Sequence, residues 1–367
     1  MSKARELAEL GAVYDSGALS NRNVIINGAM QVAQRGTSFT TVTNGTYTLD
    51  RFNYRKTNDG EVTITQDSSA PDGFSNSLKV DVTTADSSLS ASQLALLEYN
   101  VEAQDLQRLG FGTSGAKNFT VSFYVKSNKT GTYAVNISQN DNSSKQATLN
   151  YTIDAADTWE RKSLTFTGDT SGVINDDNGI GFLIYWVLAV GSTFTSGSAS
   201  AAFQTFANGD LGAGQTVNVL DNTSNEWLIT GIQLEVGSEA TPFEHRSFGD
   251  ELLRCKRYYE SSNRNITGNG TTDRLAYIVG IPYTSTAVYC TYFYEVEKRA
   301  IPTITHGSSV WRIYQASAQL TSTGAGSTDG IGHRNFSLTL SGPTFDVSEG
   351  VMCDYRAHDG VKIDAEL

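Results

Sequence analysis

Proline, cysteine and histidine are scarce in this chain, with 5 Pro, 3 Cys and 4 His among 367 residues. Three scattered cysteines (Cys255, Cys290, Cys353) make neither a disulfide framework nor a zinc cage, and unpaired cysteines are usually buried thiols. No two of His245, His306, His333 and His358 stand three or four residues apart, which excludes a helical metal pair. The chain has no G-x-S-x-G, no H-E-x-x-H and no P-loop; Gly110–Gly115 (GFGTSG) lacks the Lys-Ser/Thr end and reads as a turn. Long hydrophobic runs are missing too. The longest, Ile180–Val190, falls well short of the roughly 20 residues of a spanning helix and reads as a buried strand. Met1–Leu10 is charged and lacks an apolar core, so no signal peptide is expected, and synthesis in a cytoplasm without export follows. Positive charge is in deficit: 27 Lys+Arg against 39 Asp+Glu leaves −12. That balance argues against binding nucleic acid or inserting at anionic membranes.

What is present is strand-forming material. Hydrophobic residues make up 39% and aromatics 10%, enough to bury a core, and 34 glycines sit among Ser, Thr and Asn turns. Phe119, Val121, Phe123 and Val125 alternate with Thr120, Ser122, Tyr124 and Lys126; Ala95, Leu97, Tyr99 and Val101 alternate with Leu96, Glu98, Asn100 and Glu102. Further strands are predicted at 77–83, 133–137, 147–153, 162–167, 181–190 and 227–236, and period 2 repeated in this way indicates an antiparallel sandwich. Gly191–Gly214 reads as a long surface loop. Past Pro242, a second β unit is predicted, with strands at 251–261, 275–282, 287–296, 309–314, 336–340 and 350–357. The fold class is therefore all-β: two antiparallel, jelly-roll-like β-sandwich domains with a short helical N-terminal segment. The boundaries fall at 1–46 (attachment and assembly), 47–246 (jelly roll) and 247–367 (distal domain). Leu7, Leu10, Val13 and Tyr14 are apolar residues on a segment too short to be stable alone, so they are expected to bury against a partner.

The run NRNVIINGAMQVAQRGTSFT (Asn21–Thr40) with TLDRF (Thr48–Phe52) resembles the N-terminal part of bacteriophage tail-fibre and virion appendage proteins. GIQLEVGSEATPFEHRSFGDELLRCKRYYE (Gly231–Glu260), EKRAIPTIT (Glu297–Thr305) and the final DAEL (Asp364–Leu367) resemble their later parts. KARELAEL (Lys3–Leu10) is similar to structural proteins of phages infecting marine cyanobacteria, and residues 47–246 to a carbohydrate-binding jelly roll, most closely from Leu97 to Ser127. The resemblance implies a virion component, assembled from host cytoplasm, that contacts other virion proteins through its N-terminal segment and a host-surface glycan, works as a homotrimer and catalyses nothing. A glycan-degrading tail spike or a free-standing carbohydrate-binding module is the alternative.

No cofactor is expected. Asp50 and Glu235 are the calcium candidates, with an Asp50–Arg51 ion pair the plainer reading. A depolymerase would need a carboxylate pair, and Asp50, Glu98, Glu102, Asp105, Glu226 and Glu235 read as charges near strand ends. Sugar binding needs exposed aromatic faces and planar polar groups. Trp186 and Trp227 read as core and Trp159 as a strand-start staple, leaving Trp311, Tyr314, His306 and Arg312 as receptor-binding candidates in the distal domain. Tyr277, Tyr283, Tyr289, Tyr292, Phe293 and Tyr294 are packed densely enough to cover both faces of their strands, so one face is expected to meet the domain core and the other a neighbouring subunit.

Overall fold

The computed structural model describes residues 21–141, 145–261, 276–306, 311–316, 318–324, 326–342, 344–355 and 361–367. Leu7, Leu10, Val13, Tyr14 and the expected N-terminal helix lie outside these residues. The chain divides into a first unit, 1–248 with Leu367, and a second, 249–366. It is nearly all β, in antiparallel sheets.

In the first unit the strands are β1 (Ser38–Phe39), β2 (Thr46–Tyr47), β3 (Phe52–Lys56), β4 (Glu61–Asp67), β5 (Ser77–Thr84), β6 (Leu94–Glu102) and β7 (Phe119–Ser127). They continue as β8 (Gly131–Gln139), β9 (Lys145–Ile153), β10 (Glu160–Phe166), β11 (Ile180–Val190), β12 (Ser200–Thr205) and β13 (Glu226–Val236). A six-stranded sheet in the order β1-β4-β5-β13-β7-β10 faces a seven-stranded one, β12-β9-β8-β11-β6-β3-β2. The alternating residues supply the core between them: Phe119, Val121, Phe123 and Val125 from β7, Leu97, Tyr99 and Val101 from β6, and Trp186 and Trp227 from β11 and β13. Trp186 and Trp227 are thus core, as their sequence context predicts.

Residues 21–46 are part of this body. Val24, Ile25, Met30 and Val42 join its core. Val24 N–H donates to Leu234 O (3.0 Å), Asn23 Nδ2 to Ile232 O (3.1 Å) and Ile26 N–H to Tyr99 Oη (2.7 Å), strapping the segment along β13. Asn27 closes the following turn, its Nδ2 reaching Val32 O and Asp50 O while its Oδ1 accepts from Val32 N–H.

The stretch read as a long loop, 191–214, is ordered instead. It holds two 3-10 turns (Ser192–Phe194 and Asn208–Asp210) and β12, and Gly197 N–H donates to Gly209 O at 2.9 Å. Its buried Leu211 packs on Leu96, Ala134 and Val187, so the stretch forms a flap over part of the outer face of the seven-stranded sheet. Its Ser, Gly and Thr content reads as loop, while the buried apolar contact that orders it is made by the single Leu211.

The second unit opens with a correction. Residues 251–261 do not form one strand: Phe248–Lys256 is a helix, α1. Asp250 and Glu251 in its first turn and Arg254 and Lys256 in its last match the helix dipole, while Glu251 and Cys255, four apart, share the buried side. Then follow β14 (Tyr259–Ser261), β15 (Ala276–Thr284), β16 (Ala287–Phe293), β17 (Thr303–His306) and β18 (Trp311–Gln315). The last strands are β19 (Ala318–Thr321), β20 (Ser327–Asp329), β21 (Asn335–Ser341), β22 (Val351–Tyr355) and β23 (Val361–Asp364). A three-stranded sheet, β14-β23-β17, and a seven-stranded one, β19-β18-β22-β15-β16-β21-β20, enclose a core of Ile278, Val288, Cys290, Trp311, Ile313, Phe336, Leu338, Cys353 and Ile363. All three cysteines are buried thiols outside any disulfide. Beside this core, the fully buried Lys298 ammonium donates to Glu260 Oε2 (2.6 Å) and to the Lys256 carbonyl, and lies 5.2 Å from the Tyr294 ring. Burial pushes the Lys298 ammonium below its ordinary pKa against the pull of Glu260.

Candidate polar face on the seven-stranded sheet of the first unit

The outer face of β6, opposite Leu97, Tyr99 and Val101, carries Glu98, Asn100 and Glu102, all buried. Register aligns other strands with them. Asn53 on β3 pairs with Glu98, Glu98 with Tyr185 on β11, Tyr185 with Asn136 on β8, and Asn136 with Thr148 on β9. One row of side chains thus crosses five strands, roughly 19 Å at the usual strand spacing. Beside it runs a second row, Asn100, Leu183, Ser138 and Gln146. The flap borders these rows: Gln146 Nε2 donates to Ala207 O and Thr148 Oγ1 to Asp210 O (2.6 and 2.7 Å). Arg55 and Tyr185 stand over the row as partly exposed side chains.

The hydrogen bonding of this face is one-sided. Asn136 Nδ2 donates to Gln146 Oε1 and Thr148 Oγ1 (3.0 and 2.8 Å), while its Oδ1 is buried without a donor among the described residues. Asn100 Nδ2 donates to Glu98 Oε1 and Tyr47 Oη (both 3.3 Å), and to Leu367 O (3.1 Å). Four buried acceptors on the face, Asn53 Oδ1, Glu98 Oε2, Asn100 Oδ1 and Asn136 Oδ1, accept no hydrogen bond among the described residues. The nearest cation to Glu98 Oε2 is Arg55 Nε at 3.6 Å. Burial pushes the Glu98 carboxyl above its ordinary pKa, opposed by Arg55, Asn100 and Tyr185. Tyr185 is pushed up as well, by burial and by the Glu98 charge. A buried acceptor without a donor costs about 1–3 kcal/mol and calls for a water, an ion or a ligand that fills the gap. A row of carboxamide and carboxylate oxygens is matched by hydroxyl donors.

Neither row contains a histidine, a cysteine or a nucleophile–base pair. Glu98 and Glu102 are four residues apart on one strand, so their backbones are roughly 13 Å apart at about 3.3 Å per residue. Glycosidase pairs stand at about 5–9.5 Å.

The residues singled out from sequence are placed elsewhere. Trp311 is fully buried in the core of the second unit and offers no ring to a ligand, a correction to its reading as an exposed platform. The reason is alternation along β18: Trp311, Ile313 and Gln315 point inward, Arg312 and Tyr314 outward, both half-buried. His306 ends β17 in the other sheet, so the four candidates do not converge. Among the described residues, the exposed aromatics of this unit are Tyr283, Tyr289 and Phe293. Lys126 Nζ lies 5.7 Å from the Trp159 ring. Asp50 accepts from Gln34 N–H (2.7 Å) and Gln34 Nε2 (2.5 Å), and Glu235 from Thr241 N–H, Thr241 Oγ1 and Gln233 Nε2 (2.8, 2.6 and 2.8 Å), so protein donors occupy both carboxylates. Among the described residues, no three His, Cys, Asp or Glu side chains cluster as metal ligands, and no helix is long and apolar enough to cross a membrane.

No family model and no curated protein matches the chain. Among solved structures it is similar to the enzymatically active domain of tailspike protein 4 of bacteriophage CBA120, with 12% identity over 59% of this chain and a TM-score of 0.31. The chain covers only 22% of that domain. It is also similar to the family 11 carbohydrate-binding module of Clostridium thermocellum in complex with a β-1,3-1,4-mixed-linked tetrasaccharide (12% identity, 57% of this chain and 99% of the module, TM-score 0.28). A third is a carbohydrate-binding module in complex with β-1,4-galactotriose (10% identity, 59% and 100%, TM-score 0.28).

Proposed function

We propose that this protein is a non-enzymatic subunit of a phage virion appendage, a tail or capsid fibre, whose first unit holds a host-surface glycan on the outer face of its seven-stranded sheet. The observation that carries the glycan reading is the group of buried acceptors across the two rows, Asn53 Oδ1, Glu98 Oε2, Asn100 Oδ1 and Asn136 Oδ1, which a ligand reaches when the partly exposed Arg55 and Tyr185 beside them move aside. Sugar hydroxyls donate to such groups, and planar amides fix their direction. Acceptors dominate the row and its one exposed cation, Arg55, already faces Glu98, so the ligand is a neutral glycan rather than a carboxylated or sulfated one. The virion role rests on the resemblance of residues 21–40, 48–52 and 231–260 to appendage proteins. In that role residues 1–20 attach the subunit to other virion proteins and three copies act together.

The wide spacing of Glu98 and Glu102 supports binding without cleavage. Calorimetric titration with neutral and anionic host polysaccharides tests the reading. Binding of a neutral glycan should weaken at least tenfold in Asn136→Ala and Asn53→Ala, with no reducing ends released. Absence of binding, or equal binding by both variants, overturns it; release of reducing ends assigns a glycan-degrading spike instead.

A further inference from the structure

In the first unit, a chain of hydrogen bonds ties the Asn136 carboxamide on β8 to the flap at 191–214. An amide side chain can turn either end to a neighbour, so its direction is decided by partners that only donate or only accept. Here the deciding partners are two backbone carbonyls of the flap, which only accept. Gln146 Nε2 donates to Ala207 O at 2.6 Å, so Gln146 turns its Oε1 toward Asn136. The single hydroxyl proton of Thr148 goes to Asp210 O at 2.7 Å, so Thr148 offers Asn136 only a lone pair. Both Nδ2 protons of Asn136 are therefore drawn toward β9, and its Oδ1 is left as a pure acceptor. All three side chains are buried. The two carbonyls are held in turn. Asp210 N–H donates to Ala207 O (3.0 Å) in the 3-10 turn Asn208–Asp210, and Ser198 N–H donates to Asp210 Oδ1 (2.8 Å). Leu211, next in sequence, packs on Leu96, Ala134 and Val187.

We infer that the flap sets the class of glycan this face accepts, with Gln146 and Thr148 as positioning residues that keep Asn136 an acceptor. The inference deepens the glycan reading above and rests on it. A sugar hydroxyl both donates and accepts, so it can bind an Asn136 amide turned either way. The oxygens of a carboxylate or a sulfate only accept. Against Asn136 Oδ1 they meet a second acceptor, and they are tolerated only by the reversed amide, which would present Nδ2. Discrimination of this kind comes from the mismatch imposed on the wrong ligand as much as from the bond made to the right one. The flap carbonyls forbid the reversal, because a reversed Asn136 would set its Oδ1 against Gln146 Oε1 and against a Thr148 hydroxyl whose proton is already committed. Glu98 opposes anions as well, two strands away on β6, and stays in place when the relay is cut. The change read on cutting the relay is thus the share that belongs to Asn136.

Calorimetric titration of the full chain with a neutral-hexose and a uronate-containing polysaccharide of the host surface tests the inference. Gln146→Met combined with Thr148→Val removes both links of the relay at similar side-chain volume and frees the Asn136 amide to turn. Thr148→Ser keeps the hydroxyl. Asn150→Ala removes a flap bond outside the relay, Asn150 Nδ2 to Ala213 O at 2.9 Å, and controls for a loosened flap. The neutral-to-uronate affinity ratio should fall by about fivefold in the double variant, the worth of one hydrogen bond, through tighter uronate binding. Thr148→Val alone, a milder change, should shift the ratio the same way by a smaller step, while Thr148→Ser and Asn150→Ala keep the wild-type ratio. Without glycan, NMR of isotopically labelled asparagine side chains should show the Asn136 amide protons losing their protection from exchange in the double variant. Those of Asn27, held by Val32 O and Asp50 O, should keep theirs. An unchanged ratio in the double variant, an equal fall in Asn150→Ala, or unchanged Asn136 exchange overturns the inference and leaves the glycan reading standing. A wild type that binds neither polysaccharide overturns the glycan reading and the inference with it.

Discussion

Gly28→Ala tests the packing of the strap against β13. Gly28 follows Asn27 in the NGAM turn, and its carbonyl accepts the Ile232 N–H at 3.0 Å. A Cβ at this position would stand 2.2 Å from Ile232 O and 3.2 Å from the Ile232 carbonyl carbon. Ile232 lies in an irregularity of β13 between Thr230 and Gln233, whose pairs with Tyr124 and Ser122 of β7 hold the flanking backbone in place. The strap must therefore move away by about 1 Å to restore contact distance. That displacement stretches the Ile232–Gly28 bond and the Asn23 Nδ2 bond to Ile232 O. Overpacking costs about 1–3 kcal/mol, and two weakened hydrogen bonds add about 1 kcal/mol each. The expected loss is about 3–5 kcal/mol. At about 2–4 °C per kcal/mol for a domain of this size, the Tm of the first unit falls by about 6–20 °C in scanning calorimetry. Gly249→Ala, where an added Cβ meets nothing within 4 Å, serves as the control and should leave Tm almost unchanged. A Gly28→Ala shift below about 2 °C would refute the reasoning, because only a strap free to move could absorb the methyl group.

Gly280 lies on β15 beneath two thiols, Cys290 Sγ and Cys353 Sγ, which are 3.2 Å apart, and a Cβ there would meet Cys290 Sγ at 2.6 Å. Gly280→Ala should destabilise the second unit by about 1–3 kcal/mol in urea unfolding followed by near-UV signal. Asp169 is pushed up by burial, but the Lys145 ammonium, the Ser171 N–H and hydroxyl and the Gln139 amide outweigh this and hold it at about 2. A folded pKa below the unfolded one means that its stabilisation is complete above the ordinary carboxylate range and fades as pH falls toward 2. The stability gap between wild type and Asp169→Asn should thus be about 1–2 kcal/mol at pH 6 and close as the solution approaches pH 2. Lys298→Met leaves Glu260 buried without its ammonium and should cost about 3–5 kcal/mol. Adding Glu260→Gln should recover part of it, and a double-mutant cycle measures the coupling.

Alternation along single strands was legible from residues alone. Phe119, Val121, Phe123 and Val125 had to share a face, and the same rule split Tyr292 and Tyr294 from Tyr289 and Phe293. The structure puts the first pair against the core of the second unit and leaves the second exposed. The helix at Phe248–Lys256 was hidden because Leu252 and Leu253, adjacent to each other, satisfied a strand pattern as well as a helical one. Its end charges, Asp250 and Glu251 against Arg254 and Lys256, were the available signal.

Composition and period by themselves determined that this chain is a pair of antiparallel β units with aromatic cores, because a strand buries every second residue wherever its partners lie. They could not say which face of β18 turns inward, and so whether Trp311 or Tyr314 would meet solvent; that depended on β22 and β19 beside it. Nor could they assemble Asn53, Glu98, Tyr185 and Asn136, which are far apart in sequence and come from four different strands. Only the register of the folded sheet sets these side chains in one line, and only the packing around them buries their acceptor atoms.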